Sequence, residues 1–141
     1  MIEWFVPGAI ASQGSKRFMG MSGGKGIMLD ADPKLKHWRA TIHASCPLTA
    51  PLTGPVALDL TFYFPRPKSH YGRRLGAPYL KDDAPVYKSN KPDADKIARA
   101  ALDALTCVAY VDDAQVAQLS IVKLYADVDA RLGVHIAISS C

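Results

Sequence analysis

The sequence predicts an α+β fold: one two-layer domain, a mostly antiparallel sheet with helices packed on one of its faces. Three observations point there. Val56, Leu58, Leu60, Phe62 and Phe64 alternate with Ala57, Asp59, Thr61 and Tyr63, the period of a strand with one buried face. Asp32–Ser45 and Asp93–Leu105 instead repeat apolar residues at three- and four-residue intervals, the period of an amphipathic helix. The segments follow one another as strand, helix, strand, helix, strand, strand, without internal repeat, in 141 residues, the length of one compact domain.

Glu3–Val6 reads as the first strand, broken by Pro7-Gly8 and continued by Ala9–Ala11. Ser12 to Lys25 holds four glycines and reads as a loop, with Met21–Gly26 as a hairpin tip. Asp32-Pro33 supplies an N-cap followed by proline at the first helical position. The helix then carries Leu35, Trp38, Ile42 and Ser45 on one stripe and ends before Pro47. Gly54-Pro55 opens the alternating strand and Pro65-Arg66-Pro67 closes it. Lys68 to Asn90 is a long basic stretch with Tyr71, Tyr79 and Tyr87 and little periodicity; loops of that length carry function or move. In the second helix Ile97, Ala101, Ala104 and Leu105 form the apolar stripe, with Lys96, Arg99 and Asp103 opposite. Asp112-Asp113 falls in a turn, Val116–Tyr125 is a strand, and Gly133–Ser139 is the last, with Val134, Ile136 and Ile138 on one face.

Composition narrows the function classes. With 49% hydrophobic and 21% charged residues the chain can bury a core, which excludes a disordered segment. No apolar run approaches the ~20 residues of a membrane helix. The opening residues show neither a basic n-region nor an apolar h-region. Cys46, Cys107 and Cys141 are scattered and odd in number, with no CxxC pair, so neither a disulfide framework nor a zinc site is expected. A reducing cytoplasm follows as the expected location. The net charge is +4 but unevenly spread: six cations against two acids from Gln13 to Arg39, seven against two from Arg66 to Lys91, two against five from Ala100 to Cys141. A basic first two-thirds suits a polyanion, or simply a solvated face. Twelve of the thirteen acids are Asp, a poor helix former, which places many of them at caps, turns and sites.

Two aspartate pairs stand out. Asp93 and Asp95 flank the start of the second helix, where the positive end of the helix dipole favours anions. A plainer reading has Asp93 capping the helix and Asp95 pairing with Arg99. Asp112-Asp113 follows the helix by seven residues. As a turn it needs only local hydrogen bonds; if it returns to the helix start, three carboxylates gather, and they require a cation to stay ionised. An all-oxygen donor set without His or Cys indicates Mg²⁺ or Mn²⁺. Such an ion polarises a phosphodiester and lowers the pKa of an attacking water.

Lys91-Pro92-Asp93-Ala94-Asp95-Lys96-Ile97-Ala98-Arg99, then Leu102-Asp103-Ala104-Leu105, then Val111-Asp112-Asp113-Ala114-Gln115-Val116 resembles the RusA-type Holliday junction resolvases, whose pattern is P-D-x-D-N-x-x-K, then D-A-L, then D-D-x-Q-V. The match is close from Lys91 to Lys123 and loose around it. Val6-Pro7-Gly8 and Gln13-Gly14-Ser15-Lys16-Arg17 are similar to the opening of that family, V-P-G and Q-x-R-x-R. The resemblance implies metal ligation by Asp93, Asp95 and Asp113 with Asp112 beside them, Mg²⁺ (or Mn²⁺) as cofactor, four-way DNA junctions as substrate, and a phage or prophage source. Two positions depart from the pattern: Lys96 stands at the usual Asn and Arg99 at the usual Lys. Arginine keeps the charge but cannot give up a proton, so Arg99, or Lys96 beside it, is expected to neutralise the scissile phosphate.

For the DNA backbone the candidates are Lys16 and Arg17 after the glycine loop, Arg66, Lys68, Arg73 and Arg74 around a stacking Tyr71, and Lys91. The same residues would also make an ordinary basic surface. His70 lies in that stretch; His37, His43 and His135 lack partners at metal spacing and read as structural, and Trp4 and Trp38 read as core. The reading is a metal-dependent endonuclease that makes two symmetric nicks, for which a C2 homodimer is the matching assembly. The alternatives are a branched-DNA-binding protein with little or no catalysis, discriminated by Mg²⁺-dependent nicking, and a nuclease for other branched DNA, discriminated by a substrate panel.

Overall fold

The computed structural model describes residues 1–14, 17–22, 25–29, 32–127 and 131–141, with backbone alone for 17–29. Its order is β1 (Ile2–Pro7), β2 (Arg17–Ser22), β3 (Lys25–Leu29), α1 (Pro33–Ser45), β4 (Val56–Phe64), β5 (Tyr71–Arg74), β6 (Ala77–Leu80), α2 (Ala94–Leu105), β7 (Val116–Tyr125) and β8 (Gly133–Ser140), with single 3₁₀ turns at Lys68–His70 and Asp113–Gln115. The main sheet runs β1-β8-β4-β7. β8 is antiparallel to both its neighbours, and β4 and β7 are parallel. A parallel pair needs a crossover, and α2 lies in it. The α+β expectation is met.

The alternation in residues 56–64 is realised as written. Val56, Leu58, Leu60, Phe62 and Phe64 are buried and the residues between them are not. They face α1, through Leu35, Trp38 and Ile42, and α2, through Ile97, Ala98, Ala100, Ala101, Ala104 and Leu105. Full burial of each large apolar side chain contributes about 1.5–3 kcal/mol. Asp32 caps α1 by accepting from Lys34 N at 2.9 Å, with Pro33 at the first helical position. Trp38 is 2% exposed, and Trp4 Nε1 donates to Ser45 Oγ at 3.0 Å. His43 Nδ1 lies 2.9 Å from Ala104 O, tying α1 to α2, and His135 faces Glu3 across β8 and β1. Among the described residues no helix is long and apolar enough to cross a membrane.

Three expectations are corrected. Ala9–Ala11 does not continue β1. The chain turns at Gly8, whose φ of +150° suits glycine and where a Cβ would stand 2.7 Å from the Trp38 ring. It then runs to α2, where Gln13 N donates to Lys96 O at 3.0 Å. The glycine-rich segment is not all loop, since β2 and β3 pair antiparallel around the expected tip. The long basic stretch holds a second ribbon, β5 paired with β6. Its turn is Leu75-Gly76 with φ of +53° and +79°. The left-handed region costs a non-glycine residue about 1–2 kcal/mol.

Candidate active site

Burying the apolar stripe of α2 leaves Asp95, Lys96, Arg99 and Asp103 exposed on its outer side. Asp95, Arg99 and Asp103 are four residues apart, one per turn, so they form a row. At the start of the helix Asp93 occupies the N-cap position, yet its side chain makes no capping hydrogen bond. Its carboxylate instead lies 3.5 Å from Lys96 Nζ, both groups about half exposed. Asp95 stands in the first turn. Neither capping by Asp93 nor an Asp95–Arg99 ion pair occurs among the described residues. A cleft of about 420 Å³ opens beside Asp93, lined by Ser12, Lys91, Pro92, Asp93 and Lys96.

Cations from distant segments surround this end. Lys123, on β7, donates to Asn90 O at 2.6 Å, and Lys88 donates to Asn90 Oδ1 at 2.6 Å. Burial holds the Lys123 ammonium pKa low, the Lys88 charge lowers it further, and Asp93 opposes both. The Lys88 ammonium lies 5.4 Å from the Phe64 ring centroid and 5.2 Å from that of Tyr125. Arg66 stacks on the same Tyr125 at 5.4 Å, donates from Nη1 to Pro85 O at 2.6 Å, and contacts His70 Nδ1 at 3.3 Å. The sequence reading missed Lys88 and Lys123. The available signal was a single lysine inside the apolar run Ile121-Val122-Lys123-Leu124-Tyr125.

The other end of α2 carries like charges. Asp103 is exposed on the outer side of α2, one turn from Arg99, and its carboxylate also accepts from Gln13 Nε2. That contact joins the opening segment to the helix. Asp113 has its pKa raised by burial, then by hydrogen bonding with Asp112 and by the charges of Asp103 and Asp112, with Ala114 N pulling the other way. Tyr110, fully buried and donating to Leu102 O at 2.8 Å, has its phenol pushed up by burial and then by Asp113 and Asp103. Asp112 has a second duty. It accepts from Ala114 N at 2.9 Å in a capping box, and Gln115 Oε1 answers by accepting from Asp112 N at 3.0 Å. Gln115 Nε2 donates to Leu52 O and Gly54 O, which pins this turn to the chain before β4.

The structure thus brings Asp93 to Lys96 and Lys123, and Asp113 to Asp103 and Asp112. Asp95 and Asp103 are eight residues apart, about 12 Å along the helix axis. Among the described residues no three His, Cys, Asp or Glu side chains are gathered as an ion-holding group. The donors nonetheless suit a hard divalent ion: they are all carboxylates, and Asp113 sits in like-charge crowding that such an ion relieves. Of the backbone-binding candidates, Lys16 and the Arg17 side chain lie outside the described residues. Arg66 is half-buried against Tyr125, Lys68 lies in the 3₁₀ turn, Arg73 and Arg74 are exposed on β5, and Lys91 lines the cleft.

The family described as Endodeoxyribonuclease RusA matches residues 7–137, nearly the whole chain, including both aspartate pairs and β7. The uncharacterized protein YqaN of Bacillus subtilis (strain 168) is 33% identical over 76 residues, 54% of this chain and 53% of YqaN. The chain therefore spans about half the length of that curated relative.

Proposed function

Since the chain belongs to the RusA endodeoxyribonuclease family, we propose that it resolves four-way (Holliday) DNA junctions by Mg²⁺-dependent phosphodiester hydrolysis in two symmetric nicks. The observation that carries this reading is the family match across residues 7–137, which takes in both ends of α2. The ligands are Asp93, Asp95 and Asp113, with Asp112 contributing where its cap leaves it free. A divalent ion, Mg²⁺ or Mn²⁺, supplies a Lewis acid that acidifies water and offsets phosphate charge. Arg99, midway along the exposed row, neutralises the scissile phosphate. Lys88, Lys91 and Lys123 hold the flanking backbone at the start of α2.

The working unit is a C2 homodimer in the cytoplasm, since paired nicks need paired sites. The split of the carboxylates between the two ends of α2 supports an additional role for the second copy: Asp93 and Asp95 of one chain meet Asp113 of the other. The test is a labelled panel of four-way junction, flap and linear duplex, with and without Mg²⁺. Paired nicks in the junction, abolished by chelation, are expected. Cleavage of flaps in preference to junctions overturns the substrate, and metal-independent cleavage overturns the cofactor. The Lys96–Asp93 ion pair supports a second reading, a branched-DNA-binding protein with weak catalysis, because an ammonium already occupies a proposed ligand. Junction binding without nicking at any Mg²⁺ concentration selects it.

A further inference from the structure

The β5–β6 ribbon contributes nothing to the core, yet its construction is specific. Every residue of β6 is exposed, and Leu75 at the tip is 104% exposed, in full contact with solvent. A tight turn with both central residues at positive φ favours Asn-Gly or Gly-Gly, whereas here a leucine holds φ +53°. An apolar side chain that is strained and fully exposed at once gains nothing for the folded chain by itself, and such combinations cluster where a ligand is engaged. The surroundings name the ligand. From Pro65 to Lys81 there are five cations and no acid. Arg73 and Arg74 stand next to the tip on opposite faces of β5.

The ribbon is also braced. Tyr79 lies over Gly72 so closely that a Cβ there would sit 2.5 Å from it, and Arg74 covers the ring at 5.1 Å. At the root, Lys81 N donates to His70 O at 3.0 Å, and the His70 ring meets Tyr125 edge-on at 4.7 Å. Tyr87, seven residues beyond the end of β6, bridges to Leu124 of β7, so the chain that leaves the arm is fixed to the main sheet. A four-residue strand pair projects the tip by about 13 Å, and a two-stranded ribbon fits a DNA groove.

We propose that the β5–β6 ribbon is a DNA-entering arm that lodges Leu75 between unstacked bases at a branch point, with Arg73 and Arg74 on the flanking phosphates. This rests on the reading of branched DNA as substrate. Leucine is a known kind of wedge between base steps, where it holds DNA bent or open. The tip carries apolar surface without base-reading groups, so the arm recognises distortion and not sequence. A branch point is the favoured place because its bases have already lost part of their stacking.

The test uses the full chain without divalent metal, so that no cutting occurs, and four-way junctions carrying 2-aminopurine at the crossing. Wild type is expected to raise the fluorescence at least twofold on saturation, while duplex of the same sequence stays unchanged. Leu75→Asn and Leu75→Gly both accept the left-handed turn, so they keep or raise the melting temperature while losing most of the fluorescence rise. Affinity falls less than tenfold, because the phosphate contacts remain, and Leu75→Met restores the rise. A full rise with Leu75→Asn overturns the wedge. A wild type that binds junctions tightly without any rise also overturns it and leaves the junction reading intact. A wild type with no preference for branched DNA removes the substrate reading and the wedge together.

Discussion

The two ends of α2 hold their carboxylates in opposite electrostatic company. At the start, Asp93 has Lys96 at 3.5 Å and lies in the field of Lys123, with Lys91 lining the same cleft. At the far end Asp113 meets Asp103 and Asp112 above the buried Tyr110, and no ion pair reaches them among the described residues. The difference separates two chemical needs. A carboxylate next to a fixed cation is already offset and can exchange that partner for a phosphate-bound ion. Crowded carboxylates repel one another while ionised, and a cation arriving from outside relieves that repulsion. Under the proposed function the start of α2 supplies cations for the phosphodiester, and the far end supplies carboxylates whose crowding a divalent ion relieves.

The largest expected effect comes from deleting either half. Asp93→Asn and Asp113→Asn should each slow single-turnover junction cleavage by more than about 100-fold, beyond what loss of a supporting hydrogen bond around a metal costs. Junction affinity should change little, because the basic surface is untouched. Near-normal cleavage by Asp113→Asn would confine the site to the start of α2. An equal mixture of the two inactive variants sharpens the comparison. If the ends meet across the dimer, half of the mixed dimers' sites are intact and nicking of one strand returns. If both halves come from one chain, the mixture stays inactive.

Arg99 lies between the two ends, one turn from Asp95 and one from Asp103. Arg99→Ala should cost about 100-fold in single-turnover rate at saturating Mg²⁺, the scale of one lost contact to developing charge. Arg99→Lys should keep most of the activity if the role is electrostatic. An alanine variant as fast as wild type moves the role to Lys96 or Lys123. Lys96 itself gives a smaller effect of opposite sign. Replacing it by asparagine frees Asp93, so the Mg²⁺ concentration for half-maximal nicking should fall roughly fivefold, what a solvent-screened surface pair can contribute at most. A rise in that concentration would show that Lys96 assists the ion and does not compete with it.

Elements with one buried face were legible in the sequence. Val56–Phe64 and the α2 stripe have a strict period because alternate residues meet the core. The β5–β6 ribbon was not legible. All of β6 is exposed, so no face imposes a period, and its Leu75-Gly76 turn lacks the usual Asn or Asp. The site divides in the same way. Asp93, Asp95, Asp112 and Asp113 stand out in the sequence by residue type and spacing, and the resemblance to the RusA pattern makes them candidate ligands. Their neighbours were not, because Asp103 is turned by Gln13, 90 residues away, and Lys123 reaches the start of α2 only through the register of β7 with β4. Local spacing carries no information about such long-range pairing.

The smallest effect tests the burial and crowding of Asp113 together. Asp113 holds its proton more tightly in the folded chain than the ordinary carboxyl value of 3.8. Between that value and the higher folded one, the folded state binds more protons than the unfolded state, so stability falls as pH rises through the window and stays reduced at neutral pH. Asp113→Asn removes the charge. Without divalent ions the variant should therefore melt about 1–2 °C above wild type at neutral pH, the scale of a few tenths of a kcal/mol in a chain of this size. Below about pH 3.8 wild-type Asp113 is neutral as well, and the advantage should vanish. Adding Mg²⁺ should reverse the order at neutral pH, because binding to the folded state stabilises only the chain that keeps its ligand. Thermal melts at two pH values, each with and without Mg²⁺, measure all of this. An asparagine variant that melts lower than wild type at neutral pH without metal would show that the Ala114 N–H favours the carboxylate more strongly than burial and the neighbouring Asp103 and Asp112 disfavour it. The far end of α2 would then lose its claim to be the end that a cation relieves.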